Sequence, residues 1–439
     1  MEILIAGAGH GGLCAAGILA KNGMDVTVLE RNPEADLGYD WTDIFNLACF
    51  SEAGIPLPEP REYRQSEDMT FVSPSWGATL TAAAIREPGA EVVMERRAIL
   101  RHLIAFARGG GAKLVFETVV LGPLVDGNRV TGLLVKDGDG ERRILADLVI
   151  DAAGMRSPVR TQLPERLGIQ REFGREQYFT VFRAFYEHTG RPARSRNFSV
   201  YFFPMGRRCI NWIAEEAGEY VDQLCGTFGD TDRAFAEEVR KFVLPRHPEL
   251  GEKIVRGGRA VTIPVRRPLG RMVADGYAAL GDSAAMTVPL VGSGICNAVR
   301  AGRMLARRVL SPDCRDCSAA ELWPWQVEYM RQIGAVHASL DVLKGFMLSL
   351  RPKQLDFIFA HKVLESPEMT KARTGREITL SLGQMALRGL RGAGNPVLLL
   401  RTAGALFASK KMKRHALRIP ERYDEKAIER WVRGYEGIG

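Results

Sequence analysis

MEILIAGAGHGGLCAAGILAKNGMDVTVLE, residues 1–30, decides the fold of this chain. Glu2 to Ala6 is an apolar run of strand length. Gly7-Ala8-Gly9-His10-Gly11-Gly12 interrupts it, and Leu13 to Lys21 continues with helical spacing. Val26 to Leu29 is a second apolar run, ending on Glu30. Strand, glycine turn, helix, strand and acid make a βαβ unit that holds a dinucleotide. Gly7 permits the tight turn, Gly9 lets the backbone approach a pyrophosphate, and Gly12 lets the helix pack on the strand. The helix N-terminus turns free N–H groups and partial positive charge toward the phosphates. Glu30 follows Gly12 by 18 positions, where a carboxylate accepts hydrogen bonds from both ribose hydroxyls. An acid there fits an unphosphorylated adenosine ribose, so FAD or NAD rather than NADP. The stretch alone does not choose between those two.

The 439 residues suffice for two to three domains, or for one large domain with a second inserted. An apolar fraction of 46% and a charged fraction of 26% are ordinary for a globular protein. Charge is unevenly spread. Residues 331–439 hold 20 Lys and Arg against 10 Asp and Glu, a net of +10, so the other residues carry −2 of the overall +8. A basic segment of this kind meets an anionic membrane, nucleic acid or an acidic partner, or is a solvated face. The N-terminus lacks the basic flank of a signal peptide, and no uninterrupted apolar run is long enough to span a membrane. Seven cysteines in a chain of this length make no disulfide framework and point to a reducing cytosol. The expected location is cytoplasmic, with a peripheral position at the inner face of the membrane as an option.

Onward from Glu30, the pattern predicts a helix from Ile44 to Ala53 with Thr42 or Asp43 as N-cap. The proline-rich Ile55 to Pro60 leads into a second domain. Met69 to Ser73 and Ala78 to Thr81 read as strands joined by a turn. Arg96 to Arg108 is an amphipathic helix stopped by three glycines, and Lys113 to Glu117 a strand. Val119 to Leu124, Arg129 to Lys136 and Arg142 to Leu145 form a β-meander with Asp-Gly turns. Ala146 to Gly154 is a strand ending in small residues, and Arg156 starts a helix. Aromatic strands follow at Tyr178 to Tyr186, Ser199 to Phe203 and Arg208 to Ala214, then a helix over Asp232 to Leu244 and a strand over Ala260 to Pro264. Everything past about residue 320 reads helical. The expected fold class is α/β, with a discontinuous Rossmann-like domain, an inserted β-rich substrate domain and a helical C-terminal region. Residues 1–60, 91–165 and 265–320 belong to the first, 61–90 and 166–264 to the second, and 321–439 to the basic third.

Three further signals stand in order after the opening turn. They are Arg97-Ala98-Ile99-Leu100 at a helix start, Asp151-Ala152-Ala153-Gly154, and Gly281-Asp282-Ser283-Ala284-Ala285 followed by Pro289-Leu290-Val291-Gly292-Ser293-Gly294-Ile295. Together they resemble the flavoproteins that share the para-hydroxybenzoate hydroxylase fold, over roughly residues 1–310. Pro289 to Ile295 and the small-residue helix Ala298-Val299-Arg300-Ala301-Gly302-Arg303 resemble the geranylgeranyl reductase branch in particular. Tyr201-Phe202-Phe203-Pro204 is similar to that branch's aromatic-Phe-Pro motif, without its Trp. The resemblance implies FAD, with contacts at Gly7, Gly9, Gly11, Gly12, Glu30, Arg31, Arg97, Val120, Gly281, Asp282, Gly292, Ser293, Gly294 and Ile295. Asp282 would meet the ribityl chain, and the loop at Gly292 to Ile295 would present N–H groups to the pyrimidine end of the flavin.

The resemblance further implies reduction of C=C bonds in an apolar, isoprenoid-like substrate, by hydride from reduced flavin. A monooxygenase using NAD(P)H and oxygen is the alternative on the same fold. A membrane-peripheral electron-transfer flavoprotein is another. NAD(P)H or a ferredoxin-like protein would donate electrons. Asp43 and Tyr201 are the candidate catalytic residues by their place in the resemblance. Trp41, Phe182, Tyr201, Phe203 and Trp212 are the candidate wall of an apolar substrate pocket, set against a sheet simply packed on the core.

The remaining signals have plainer readings beside the functional ones. Cys314-Arg315-Asp316-Cys317 is a single CxxC without the second pair that zinc would need, so no metal is expected. His10, in the turn, is expected to face solvent. Pro396 to Lys413 joins an apolar half to Lys410-Lys411-Met412-Lys413-Arg414, a membrane-surface helix or a docked helix with a solvated basic end. Few aromatics accompany these charges, which disfavours nucleic acid.

Overall fold

A computed structural model describes residues 1–87, 90–195, 198–216, 218–229 and 232–437. The opening stretch folds as its pattern dictates. Strand Glu2–Ala6 lies parallel to Asp25–Leu29 on one side and to Leu148–Asp151 on the other. Lys113–Val115 and the hairpin Val273–Ala274/Tyr277–Ala279 complete a six-stranded sheet. Both faces are covered, so Ile3, Leu4, Ile5, Val149 and Ile150 run as continuous buried apolar residues rather than alternating. Helix His10–Lys21 packs on Arg96–Gly109 and on Ile295–Val309. The meander Val119–Asp126, Arg129–Asp137 and Gly140–Leu145 forms a separate three-stranded sheet.

A seven-stranded sheet carries the substrate side. Its order is Leu250–Pro264, Tyr178–His188, Tyr220–Phe228, Cys209–Glu216, Phe198–Phe202, Met69–Val72 and Thr79–Ala82. The two strands from residues 69–82 therefore join this sheet from far away in sequence, pairing Ser199 with Thr70 and Tyr201 with Val72. Helix Arg233–Val243, N-capped by Asp232, covers one face of the sheet. C-terminal helices pack against its Thr79–Ala82 edge.

Two sequence expectations are corrected. Thr42–Phe45 is a strand, paired antiparallel with Val92–Glu95, and the helix is only Ala48–Glu52. Its start is delayed because Asn46 Oδ1 accepts the Ala48 N–H at 2.8 Å, the role of a cap. The segment after Arg156 is turns and a short 3₁₀ stretch, Arg160–Gln162. Buried Asp151 draws this segment inward, accepting from Ser157 Oγ at 2.6 Å, Tyr277 OH at 2.9 Å and the Arg160 N–H at 3.2 Å. The C-terminal region is helical, with a π turn at Met330–Gly334 between Ala319–Tyr329 and Ala335–Leu348. Among the described residues no single helix is long and apolar enough to cross a membrane.

Candidate functional site

The glycine turn closes against the end of strand Leu148–Asp151. Gly7 has φ +88°, and a Cβ there would stand 2.9 Å from Ala152 O. Glu30 is 8% exposed and oriented by the turn itself: it accepts the Ala8 N–H at 3.0 Å and the Asn32 amide at 2.8 Å. No side chain caps the helix that begins at His10, nor the one that begins at Ile295. Both N-termini leave N–H groups unpaired within their own helices.

His10 does not face solvent as expected. Its Nε2 is sealed inside and has no hydrogen-bond partner. Burial and the nearby Arg96 guanidinium lower its pKa to about 4, so the ring is neutral at physiological pH. Arg96 grips Asp43 through two hydrogen bonds of 2.6 Å. Burial opposes the charge on Asp43, but Arg96 outweighs it and holds the carboxyl below its usual range. Asp282 accepts from Thr287 Oγ1 at 2.7 Å, and burial raises its pKa. A Cβ on Gly294 would stand 3.0 Å from that hydroxyl and 3.5 Å from Asp282 Oδ1.

These features fit FAD. The acid beside the turn suits the ribose, the two uncapped helices suit a diphosphate and a pyrimidine ring, and the unpartnered His10 Nε2 and Ser283 Oγ await polar partners. Glu30, Gly9 and Gly12 would hold the adenosine diphosphate side, and Asp282 and Gly292 to Ile295 the flavin side. Arg31 and Arg97 are exposed, and Val120 is buried in its strand. Gly11 turns instead toward the other helix, where a Cβ would meet Ala298 O at 2.6 Å. It serves the packing of the two helices.

Loop residues Leu290 to Ile295 also wall an apolar cavity of about 230 Å³, with Asp43, Trp212, Phe198, Val200, Phe202 and Met347. A contiguous cavity of about 160 Å³ adds Trp41, Phe179, Val181 and Phe203. Phe202 and Phe203 both face this space although they are consecutive. Phe203 manages this with φ +49°, a left-handed backbone that is costly for a bulky residue.

Trp41, Phe203 and Trp212 thus line the cavity as expected, and Phe182 and Tyr201 do not. Side chains alternate across a strand. Phe198, Val200 and Phe202 face the cavity, which sends Tyr201 to the opposite face with Phe182. There Tyr201 OH meets His247 Nε2 at 2.7 Å, and His247 Nδ1 meets Glu249 at 2.7 Å, all fully buried. Tyr201 is therefore a structural anchor, not a catalytic residue. Tyr201→Phe should cost about 1–3 kcal/mol in chemical denaturation, by leaving a buried imidazole unpaired. FAD content and turnover of the folded variant should match wild type; lost turnover would return Tyr201 to the site.

The sequence reading missed a second ion pair in the cavity wall. Arg183 is 6% exposed and binds Asp222 at 2.9 and 2.8 Å and Thr42 Oγ1 at 2.9 Å. Its guanidinium lies over Trp41, Phe185 and Trp212 at 5.6, 5.1 and 5.1 Å. Glu216 also lines the cavity, bonded to Arg64. Burial and neighbouring Asp222 push its pKa up despite Arg64. Cys314 and Cys317 are buried with their sulfurs 3.8 Å apart, and no disulfide joins them. Among the described residues no His, Cys, Asp and Glu cluster could hold a metal ion.

Residues 1–188 match the family described as FAD binding domain. The chain is 23% identical, over its whole length and 97% of the relative's, to digeranylgeranylglycerophospholipid reductase of Sulfolobus acidocaldarius. Its structure is similar to a geranylgeranyl bacteriochlorophyll reductase-like protein of Thermoplasma acidophilum. That likeness has a TM-score of 0.72 and 17% identity, and covers 92% of this chain and 98% of the other. It also resembles CmlS, a flavin-dependent halogenase, at a TM-score of 0.60 and 18% identity, over 99% and 77% of the two chains. At such identities the two structural likenesses speak for the fold.

Proposed function

The chain is an FAD-dependent oxidoreductase similar to the geranylgeranyl reductases, and from that premise we propose that it saturates C=C bonds of a long apolar, isoprenoid-like lipid. The observation that carries this reading is the apolar cavity, which meets the flavin-facing loop Leu290 to Ile295. Bound FAD, once reduced, supplies a hydride to one alkene carbon. The protein's task is to seat the alkene, exclude water and deliver a proton to the other carbon.

Glu216 is the cavity group suited to that proton. Asp43 is held as a carboxylate by Arg96, so it anchors rather than donates. The raised pKa of Glu216 keeps its proton to higher pH than an ordinary carboxyl. The rate of the reductive step should fall as pH rises through that pKa, since the acid form donates. Glu216→Gln should flatten this limb and slow the step about 10²-fold or more. An unchanged pH profile would remove Glu216 from the role. A monooxygenase reading predicts instead that substrate accelerates NAD(P)H oxidation only with oxygen present. The electron donor of the reductase is NAD(P)H or a ferredoxin-like protein.

An apolar lipid substrate is best met at a membrane, and the C-terminal helices are built for one. Helix Pro396–Ala416 exposes Val397, Leu400 and Phe407 at 66%, 74% and 68%. Lys411 and Arg414 continue the same face at helical spacing, and both are exposed. Leu382 and Leu390 on the preceding helix, Leu382–Arg391, are 82% and 77% exposed. Apolar side chains flanked by basic ones suit the surface of an anionic bilayer. The protein should co-sediment with anionic phosphatidylglycerol vesicles more than with neutral ones. Leu400→Asp with Phe407→Asp should abolish this and leave flavin content unchanged. Equal sedimentation of the double variant would contradict the assignment.

A further inference from the structure

Behind the flavin-facing loop lies a third cavity, of about 400 Å³ and of different character. It is polar, walled by Asn297, Arg300, Gln332, His337, Arg373 and Arg376. It shares Ile44, Glu91, Ser293 and Arg373 with the apolar cavity, so the two adjoin through one wall.

Most of its charges are spoken for. Arg300 binds Glu52 at 2.6 and 2.9 Å, Arg373 binds Glu91 at 2.8 Å, and Glu377 binds Lys413 at the rim. The Arg376 side chain has no acceptor among the described residues and is exposed at the cavity mouth. His337 is 2% exposed. Its Nε2 lies 3.4 Å from Asn297 Nδ2, and its Nδ1 is sealed from solvent with no partner. An amide nitrogen only donates, so Nε2 accepts and the ring proton sits on Nδ1. Burial holds the imidazole neutral, with a pKa of about 4. The cavity thus offers a buried N–H without an acceptor and a cation without a counterion. Nothing in the apolar cavity next to it would suit an anion of that size.

We propose that this polar cavity receives the phosphate head of an amphiphilic substrate whose hydrocarbon tail lies in the adjoining apolar cavity. Arg376 would pair with the phosphate and His337 Nδ1–H would donate to one of its oxygens. The inference rests on the reductase reading for the tail, and on Arg376, His337 and the shared wall for the head.

The test is equilibrium binding to the FAD-loaded protein, with geranyl phosphate, geraniol and inorganic phosphate as probes. Occupied flavin excludes binding at the cofactor's own diphosphate site. Geranyl phosphate should bind about tenfold or more tighter than geraniol, the worth of charge-assisted hydrogen bonds. Arg376→Gln, at an exposed position, should erase that gap with geraniol binding unchanged, and Arg376→Lys should restore part of it. Geranyl phosphate binding that is indifferent to Arg376→Gln overturns the proposal. Inorganic phosphate binding as tightly as geranyl phosphate also overturns it, by making the cavity a free-anion site without a tail. These measurements involve no turnover. A protein that fails to reduce any alkene but keeps the Arg376-dependent gap would lose the reductase reading and retain the head site.

Discussion

A Gly11→Val variant is expected to purify without flavin. Gly11 stands where helices His10–Lys21 and Ile295–Val309 touch backbone to backbone, and any Cβ there would lie 2.6 Å from Ala298 O. Neither wall is a flexible side chain, so the helices must separate. Overpacking of this kind costs about 1–3 kcal/mol. The larger effect is on the cofactor, because the N-termini of these two helices are the ends that face it. A shift of even 1 Å between them would spoil both sets of N–H contacts. Flavin absorbance per chain, measured beside circular dichroism, checks the prediction. A variant that retains its helical signal and an equimolar flavin would show that this close approach is not needed.

The second large effect concerns stability. Arg183→Met should lower unfolding free energy by about 3–5 kcal/mol, because it leaves Asp222 buried and unpaired. Asp222 is 1% exposed and holds two other donors: Arg183 through both of its oxygens, and Trp212 Nε1 at 3.0 Å through one. Combining Arg183→Met with Asp222→Leu removes both charges and should recover much of the loss. Denaturant midpoints of the two single variants and the double variant measure the coupling. Additive losses would mean that the pair does not act as a unit. Recovery would also show that the cavity wall can be apolar without collapse, which suits a hydrocarbon substrate.

What the sequence disclosed depended on how local its physics was. The βαβ unit was legible because a left-handed Gly7, a helix start and an acid at the next strand end are all set within 30 residues. The loop Pro289 to Ile295 was legible for the same reason, since glycines there mark close approach. Thr42–Phe45 was misread as helix because its strand character comes from pairing with residues 92–95, far along the chain. The inward face of the large sheet was not legible either. Helix Arg233–Val243 buries one face and the cavity the other, so both carry apolar residues and the usual alternation of polar and apolar is lost. Phe182 and Tyr201 were therefore placed on the wrong side. Arg183, a lone charge inside Tyr-Phe-Thr-Val-Phe-Arg-Ala-Phe-Tyr, was the available signal for the cavity face. The basic character of residues 331–439 was legible from composition. The exposed stripe of Val397, Leu400 and Phe407 required knowing which helix faces their neighbours leave bare.

The central claim is reduction of an alkene by enzyme-bound flavin. Its most direct measurement is to reduce the protein without air, mix it with a polyprenyl lipid and follow both flavin absorbance and lipid mass. The account predicts that flavin reoxidises without oxygen and that the lipid gains two hydrogens for each flavin oxidised. Flavin that stays reduced with every prenyl lipid, and reoxidises only when oxygen is admitted, would contradict it.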